Sequence, residues 1–280
     1  MLLLSLLLIT VPQDEVSFTI LDPSGKEITQ EKFRDTIKRY DVIFLGEQHD
    51  AVQAHHAELE ILKNIAQDVD DMVLALEMFE QDVQGILNDY LAGHISEDSF
   101  LAASRPWGNY TEDYRPLVEF AKEAGIQVIA ANIPRRAAAA VARSGVLSSK
   151  TLGSDSIWIP DTLHLDSKEY YNRFEATMQE LPHTGPMGKM NIDALYKAQV
   201  LKDAAMASSL HRWLESKILF VCGGFHCEYH LGIPYQLAKN HPELKIAVVS
   251  IRPYPDKPSD EVRSAIADFL WLYRSSENSP

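Results

Sequence analysis

Cysteine, basic clusters and membrane-length apolar runs are all scarce in this chain. Two cysteines, Cys222 and Cys227, stand among 280 residues, too few for a disulfide framework. Lysine and arginine number 26 against 40 acidic residues, a net charge of −14, and no dense basic run occurs. A nucleic-acid backbone requires a basic patch, so nucleic acid is excluded as a partner. The apolar N-terminal stretch "MLLLSLLLITV" spans about eleven residues, where a membrane-spanning helix needs roughly 20. Its length suits the apolar core of a signal peptide, although no basic residue precedes it and no small-x-small cleavage site follows. The expectation is an apolar segment over residues 1–16, an exported or periplasmic location, and contact with a membrane surface through that segment. No cysteine follows the run, so a lipid anchor is not supported.

What is present is a substantial core. Hydrophobic residues make up 46% of the chain. Five short runs stand out: "DVIFLG", "MVLALEMF", "QVIAANIP", "KILFVCGG" and "KIAVVSI". They are rich in Val, Ile, Leu and Phe and lack clean alternation, which is how strands buried on both faces read. Helix-length amphipathic segments separate them. Asp50 with Gln53 has the form of a capping box opening "AVQAHHAELEILKNIAQD", and Gly125 that of a helix C-cap. Strands alternating with helices predict an α/β fold with a mostly parallel sheet flanked by helices. Between runs three and four, "RRAAAAVARSG", "SKEYYNRFEATMQEL" and "NIDALYKAQVLKDAAMASSLHRWLES" read as helices, an inserted helical subdomain at about 135–216. "TLGSDSIWIPDTLHLD" and "PHTGPMGKM" read as loops. One domain over 17–273 and a polar tail over 274–280 complete the expected organisation.

Ligands of open parallel sheets bind outside the carboxyl ends of the strands, so the residues that follow each run carry the functional argument. Run one ends in Glu47 and His49, run two carries Glu77, and run three leads to Arg135 and Arg136. Run four gives "GGFHCEYH", with His226, Glu228, Tyr229 and His230, and run five ends in Arg252. In a parallel sheet these ends share one edge. Glu77 is the most informative residue, because a buried carboxylate has to be paired, protonated or metal-bound. A structural ion pair with Arg135 or Arg136 is the plain alternative. Glu and His recur together as ligands of first-row metals, so Glu47, His49, Glu77 and His226 form a candidate metal set. One of His55 and His56 should face inward, as a core histidine or a ligand. Asp203 is either solvated or in a buried polar contact. Trp107, Tyr110, Tyr114, Tyr170, Tyr171, Phe174 and Tyr229 pack the core or floor a pocket for a flat ligand.

The blocks "FLGEQHD", "ALEMF", "DYRPLVEFAKEAGIQVIAANIPR", "AQVLKDAAMA" and "GGFHCEYHLGIP", in that order, resemble those of the ChaN-like family of bacterial haem-binding uptake proteins. That family shares a superfamily with Tiki proteases, TraB-type proteins and erythromycin esterases. The resemblance implies haem as cofactor, a role in iron uptake and a homodimer sharing haem. The relatives imply a second possibility, a metal-dependent hydrolase with a divalent transition metal ion. For haem, the candidate binding residues are His226, Tyr229, Arg135 and Arg136: Tyr or His can ligate the iron, and the arginines suit the propionates. For hydrolysis, Glu47, His49, Glu77 and His226 would hold the metal, with Glu47 or Glu77 as the catalytic carboxylate.

Overall fold

The structure, a computed structural model, describes residues 17–180, 191–254 and 265–274. The apolar segment 1–16, the "PHTGPMGKM" loop and nearly all of the polar tail lie outside the described residues.

Five strands coincide with the five apolar runs: β3 (Val42–Glu47), β4 (Met72–Glu80), β5 (Gln127–Asn132), β6 (Lys217–Gly223) and β7 (Ile246–Pro253). Three more are β1 (Phe18–Leu21), β2 (Glu27–Ile28) and β8 (Phe269–Tyr273). The sheet order is β2-β1-β8-β7-β3-β6-β4-β5. All pairs from β8 to β5 are parallel, and β1 joins β8 and β2 antiparallel. The three additional strands have two to five residues. Runs that short carry little periodic signal, and the edge pair is only partly buried.

The helices are α1 (Gln30–Ile37), α2 (Val52–Ala66), α3 (Gln84–Leu91), α4 (Glu97–Ser104), α5 (Arg115–Ala124), α6 (Arg135–Ser144), α7 (Ser149–Leu152), α8 (Lys168–Glu180), α9 (Ile192–Ser209) and α10 (Ile233–Asn240). Helices α2 to α5 share one face of the sheet with Ile43, Leu45, Leu74, Leu76, Leu219 and Val221. The end of α9 (Met206, Ala207, Leu210) and α10 (Ile233, Leu237) cover Phe44, Val73, Ala75, Ile129 and Phe220 on the other. Adjacent strand residues thus feed opposite cores, which is why the runs do not alternate. The amino-terminal part of α9 packs instead on α6, through Leu201, Ala198, Ala137 and Val141.

Two local expectations change. Helix α2 starts behind Ala51, with no side-chain cap, so Asp50 and Gln53 do not form a capping box. "TLGSDSIWIPDTLHLD" is not all loop: it contributes to α7 and to a 3₁₀ turn over Gly153–Trp158. Gly125 does cap α5, at φ 69°, its N–H donating to the Ala121 and Lys122 carbonyls.

The chain runs from β3 through β4 to β5 with its helices on one face, then returns through β6 and β7 with helices on the other. Strand β6 lies between β3 and β4. The loops after β3 and β4 therefore leave towards one face and the loop after β6 towards the other, a switch point that opens a crevice at the carboxyl edge.

Strand β5 is an edge, and a glutamine closes its free side. The Gln84 Oε1 accepts from the Ala130 N–H at 2.7 Å, and its amide donates to the Val128 carbonyl at 2.9 Å. Gln81 donates to the Ala131 and Ala205 carbonyls at 2.9 and 3.0 Å. Gln84 replaces a further strand, while Gln81 fills the gap that the register slip opens on the β4 side. Gln84→Leu leaves one N–H and one C=O of β5 without their partners and should cost about 1–3 kcal/mol. Urea unfolding measures it; a midpoint unchanged from wild type would show that the glutamine does not support the edge.

Candidate functional site

At the carboxyl edge the sheet spreads. Glu47 pairs in register with Gly223 on the neighbouring β6. The β4–β6 ladder ends at Leu76 and Val221, and the β4–β5 register slips between Leu76 and Glu80. Glu77 sits in that irregularity. Its Oε2 accepts the Gly223 N–H at 2.9 Å, so a side chain takes the place of the next ladder bond.

Two acid–imidazole pairs follow from this geometry. Glu47 Oε1 lies 2.8 Å from His49 Nδ1. Glu77 Oε1 lies 3.3 Å from His226 Nε2. A Cβ placed on Gly223 would meet His49 Nε2 at 2.6 Å and Glu77 Oε2 at 3.7 Å, so only glycine lets the two pairs share this spot. Gly46 is equally committed: a Cβ there would meet Cys227 Sγ at 2.8 Å and Gly224 Cα at 3.2 Å. Cys222 and Cys227 are plain buried core thiols. Glu47, His49, Glu77 and His226 thus come together in one cluster.

Each pair has a supporting shell. Tyr114 donates to Glu47 Oε1 at 2.8 Å, and Trp107 stands edge-on to His49 with ring centroids 4.8 Å apart. His226 Nδ1 lies 2.5 Å from Asp203 Oδ1. Tyr170 donates to Asp203 Oδ2 at 2.7 Å, and the Gln199 amide donates to the Tyr170 hydroxyl at 3.1 Å. Asp203 is fully buried, in the polar contact that was one of its two sequence readings.

Burial favours neutral forms here, and partner charges oppose it. Burial pushes the Glu77 carboxyl up, but the His226 cation, joined by His49 and the Gly223 N–H, outweighs it and holds Glu77 at about 2. Burial pushes the His226 imidazole down, but Glu77 and Asp203 raise it to about 10. Burial lifts Asp203 above its usual value despite His226, and Glu77 adds to the lift. For Glu47, burial is overcome by hydrogen bonds from His49, His55 and Glu58, and the carboxyl stays well below the usual range. His49 is raised: burial opposes its charge, and Glu47 and Glu77 favour it.

Of the two adjacent histidines, His55 faces inward and His56 outward. His55 Nδ1 lies 3.0 Å from Glu47 Oε2 and 3.2 Å from Glu58 Oε2. Glu58 is fully buried and was missed in the sequence. The signal was there: His55 and Glu58, three apart, share the buried face of α2.

The remaining candidates lie outside this cluster. Tyr229 and His230 follow it in the chain with φ of 62° and 54°, a backbone region that non-glycine residues rarely enter. The Arg173 guanidinium lies 4.6 Å from the Tyr229 ring centroid and 4.6 Å from that of Phe225. Arg173 also binds the buried Glu228 at 2.8 Å, which accepts from Ser250 at 2.7 Å and Arg252 at 2.9 Å. Arg136 is paired with Asp82 and Asp155, both at 2.8 Å. Arg135 is exposed at the start of α6. Neither arginine pairs with Glu77, whose cationic partner is His226. A cleft of ≈ 810 Å³ opens beside β5, lined by Gln81, Gln84, Trp158, His211, Trp213 and His241; none of the carboxyl-edge candidates lines it.

The family described as "Haem-binding uptake, Tiki superfamily, ChaN" matches residues 33–237. The chain belongs to this family. Among solved structures, the ChaN of Campylobacter jejuni, with cofacially bound haem, is 20% identical and has a TM-score of 0.69, over 94% of this chain and 98% of that one. An erythromycin esterase, EreC, in its open conformation is 11% identical with a TM-score of 0.50, over 92% of this chain and 83% of that one. Both show the shared fold. The chloroplastic protein RETICULATA-RELATED 5 of Arabidopsis thaliana is 23% identical over 248 residues, 82% of this chain. The chain spans about a third of that relative's length (34%).

The Glu77–His226 pair sets a pH window. Glu77 is depressed from 4.5 to about 2, so its contribution is complete above 4.5 and is lost as pH falls towards about 2. His226 is raised from 6.5 to about 10, so its contribution is complete below 6.5 and is lost as pH rises through about 10. The destabilisation caused by Glu77→Gln should therefore be largest between about pH 4.5 and 6.5 and shrink on both sides. Denaturant unfolding of both proteins from acid to alkali checks this; a pH-independent difference would show that the pair is not charged.

Proposed function

We propose that this protein binds haem at the carboxyl-end rim of its sheet, in the service of iron uptake and in an exported or periplasmic setting. Membership of a haem-binding uptake family supplies the ligand class. The observation that carries the site is the pair of consecutive left-handed residues, Tyr229 and His230. Strained backbone of this kind persists where surrounding structure holds it and clusters at ligand sites. Here it turns the Tyr229 ring out of the loop after β6, half-buried and next to the Phe225 ring that Arg173 also covers.

The donor set fits haem. Among the described residues the Tyr229 hydroxyl has no hydrogen-bond partner, and a phenolate oxygen is an accepted axial donor to haem iron. His226 is a poor iron donor: Asp203 and Glu77 occupy its two ring nitrogens and favour the cation. It serves as a fixed positive charge, and Glu77 and Asp203 keep it in place. Arg136 is saturated by two carboxylates, which leaves Arg135 as the better partner for a propionate. Haem, when bound, would supply the iron, and the chain would supply the donor and the charges around it. In a homodimer, two such rims would face each other, as cofacial haem binding by the Campylobacter jejuni relative suggests.

A second reading rests on the Asp203–His226–Glu77 chain. Carboxylate, imidazole and carboxylate in series form an acid–base relay, and with Glu47 and His49 beside it this could serve hydrolysis.

Haem titration separates the two. Tyr229→Phe should shift the Soret and charge-transfer bands and weaken binding, and Arg135→Ala should weaken binding without moving the bands. His226→Ala should weaken binding less than Tyr229→Phe. Unchanged spectra in Tyr229→Phe would remove Tyr229 as the ligand. A wild-type protein that takes up no haem but hydrolyses an ester, with the activity abolished in His226→Ala, would replace the haem reading with the second.

A further inference from the structure

Behind the rim, between β3 and α2, a second group of polar side chains has no role in the haem reading. Glu47, His55 and Glu58 each offer one donor atom, all within 4.8 Å of one another, and all three residues are buried. The His55 Nδ1 distances of 3.0 and 3.2 Å to the two carboxylates are those of ion pairs in the absence of metal, and they also place the three atoms close enough to share one ion, since ligands at about 2.0–2.2 Å from a metal lie roughly 3–4 Å apart. A divalent ion would take over the charge balance that the His55 cation now gives the two acids, with His55 then neutral and the two carboxylates matching the charge of the metal.

Two further observations point to a ligand. Glu58 Oε1 is shielded from solvent and has no hydrogen-bond partner, and Glu47 Oε2 is met by His55 Nδ1 at 3.0 Å without an aligned hydrogen bond; a buried carboxylate oxygen left without a partner is costly. The opposite face of His55 is built as a ligating histidine requires. Its Nε2 lies 3.3 Å from the His49 carbonyl and 3.6 Å from Asp113 Oδ2. The Asn109 amide donates to both of those acceptors, at 3.0 and 2.7 Å. A backbone carbonyl and a carboxylate on the far nitrogen fix the tautomer that leaves Nδ1 free for a metal.

We propose that Glu47, His55 and Glu58 hold a first-row divalent cation beneath the rim, with Asp113 and Asn109 positioning His55. The mixed oxygen and nitrogen donors suit manganese, iron or zinc over calcium or magnesium. This ion is distinct from haem iron, and its site stands whether or not the haem reading holds. It would tie the start of α2 to the end of β3, the loop that carries His49.

The test uses the untagged full chain, stripped by chelator and titrated separately with Co²⁺, Mn²⁺ and Zn²⁺. The expected result is one equivalent bound, visible cobalt bands and a raised melting temperature. Loss of an outer partner typically costs about 10–100-fold in affinity, so Asp113→Asn should weaken binding by about that factor and Glu58→Gln by more. The exposed neighbour variant His56→Ala should bind as wild type. Circular dichroism checks each variant's fold, and the wild-type titration decides the matter even if Glu58→Gln does not fold. Wild type that binds none of the three ions would overturn the proposal. So would metal retained in Glu58→Gln but lost in His226→Ala, which would move the ion to the rim.

Discussion

Charge is buried at the carboxyl edge of this sheet, and its neutralisation governs the local architecture. Glu47, Glu58, Glu77 and Asp203 are each at most 4% exposed. Among the described residues none has a lysine or arginine partner. Three imidazoles, His49, His55 and His226, do that work, and removing one partner of a buried pair leaves an uncompensated charge worth about 3–5 kcal/mol. Glu228, a few residues further on, is handled differently, by Arg173 and Arg252. The edge is thus divided into an imidazole-neutralised part under the β3–β6–β4 crevice and a guanidinium-neutralised part towards β7.

Close approach of backbones makes the imidazole part possible. Glu47 and Gly223 sit side by side in the parallel ladder, and the ladder to β4 stops two residues earlier, at Val221. That early stop frees the Gly223 N–H for Glu77. The glycines at 46 and 223 leave room for Cys227 and His49 respectively. Sheet topology, an interrupted ladder and two missing side chains together place four polar groups where a core would otherwise continue.

The sheet's central strands were legible because each is an apolar run long enough to read, and polarity at the run ends located the carboxyl edge. β1, β2 and β8 were not, since two to five residues give no period. Within the site, Glu47, His49, Glu77 and His226 announced themselves by position. Glu58 was legible only through its spacing from His55 on one face of α2; that this face meets Glu47 is decided by the packing of α2 on β3. The same holds for Tyr114 and Tyr170, whose hydroxyls look like ordinary core aromatics until the acids they serve are in place. Arg136 illustrates the reverse, a basic residue at the right edge whose charge is already taken by Asp82 and Asp155. Spacing reports which strand end a residue occupies, and only the folded chain reports which partner has reached it first.

The glutamine-closed edge of β5 bears on assembly. A bare strand edge is a template on which a second copy can continue the sheet. Here the Ala130 N–H and the Val128 carbonyl are already engaged by Gln84, so a partner strand would first have to evict a side chain anchored on the same chain. Contacts between copies are steered away from sheet continuation at this border and towards surfaces whose hydrogen bonds are still open.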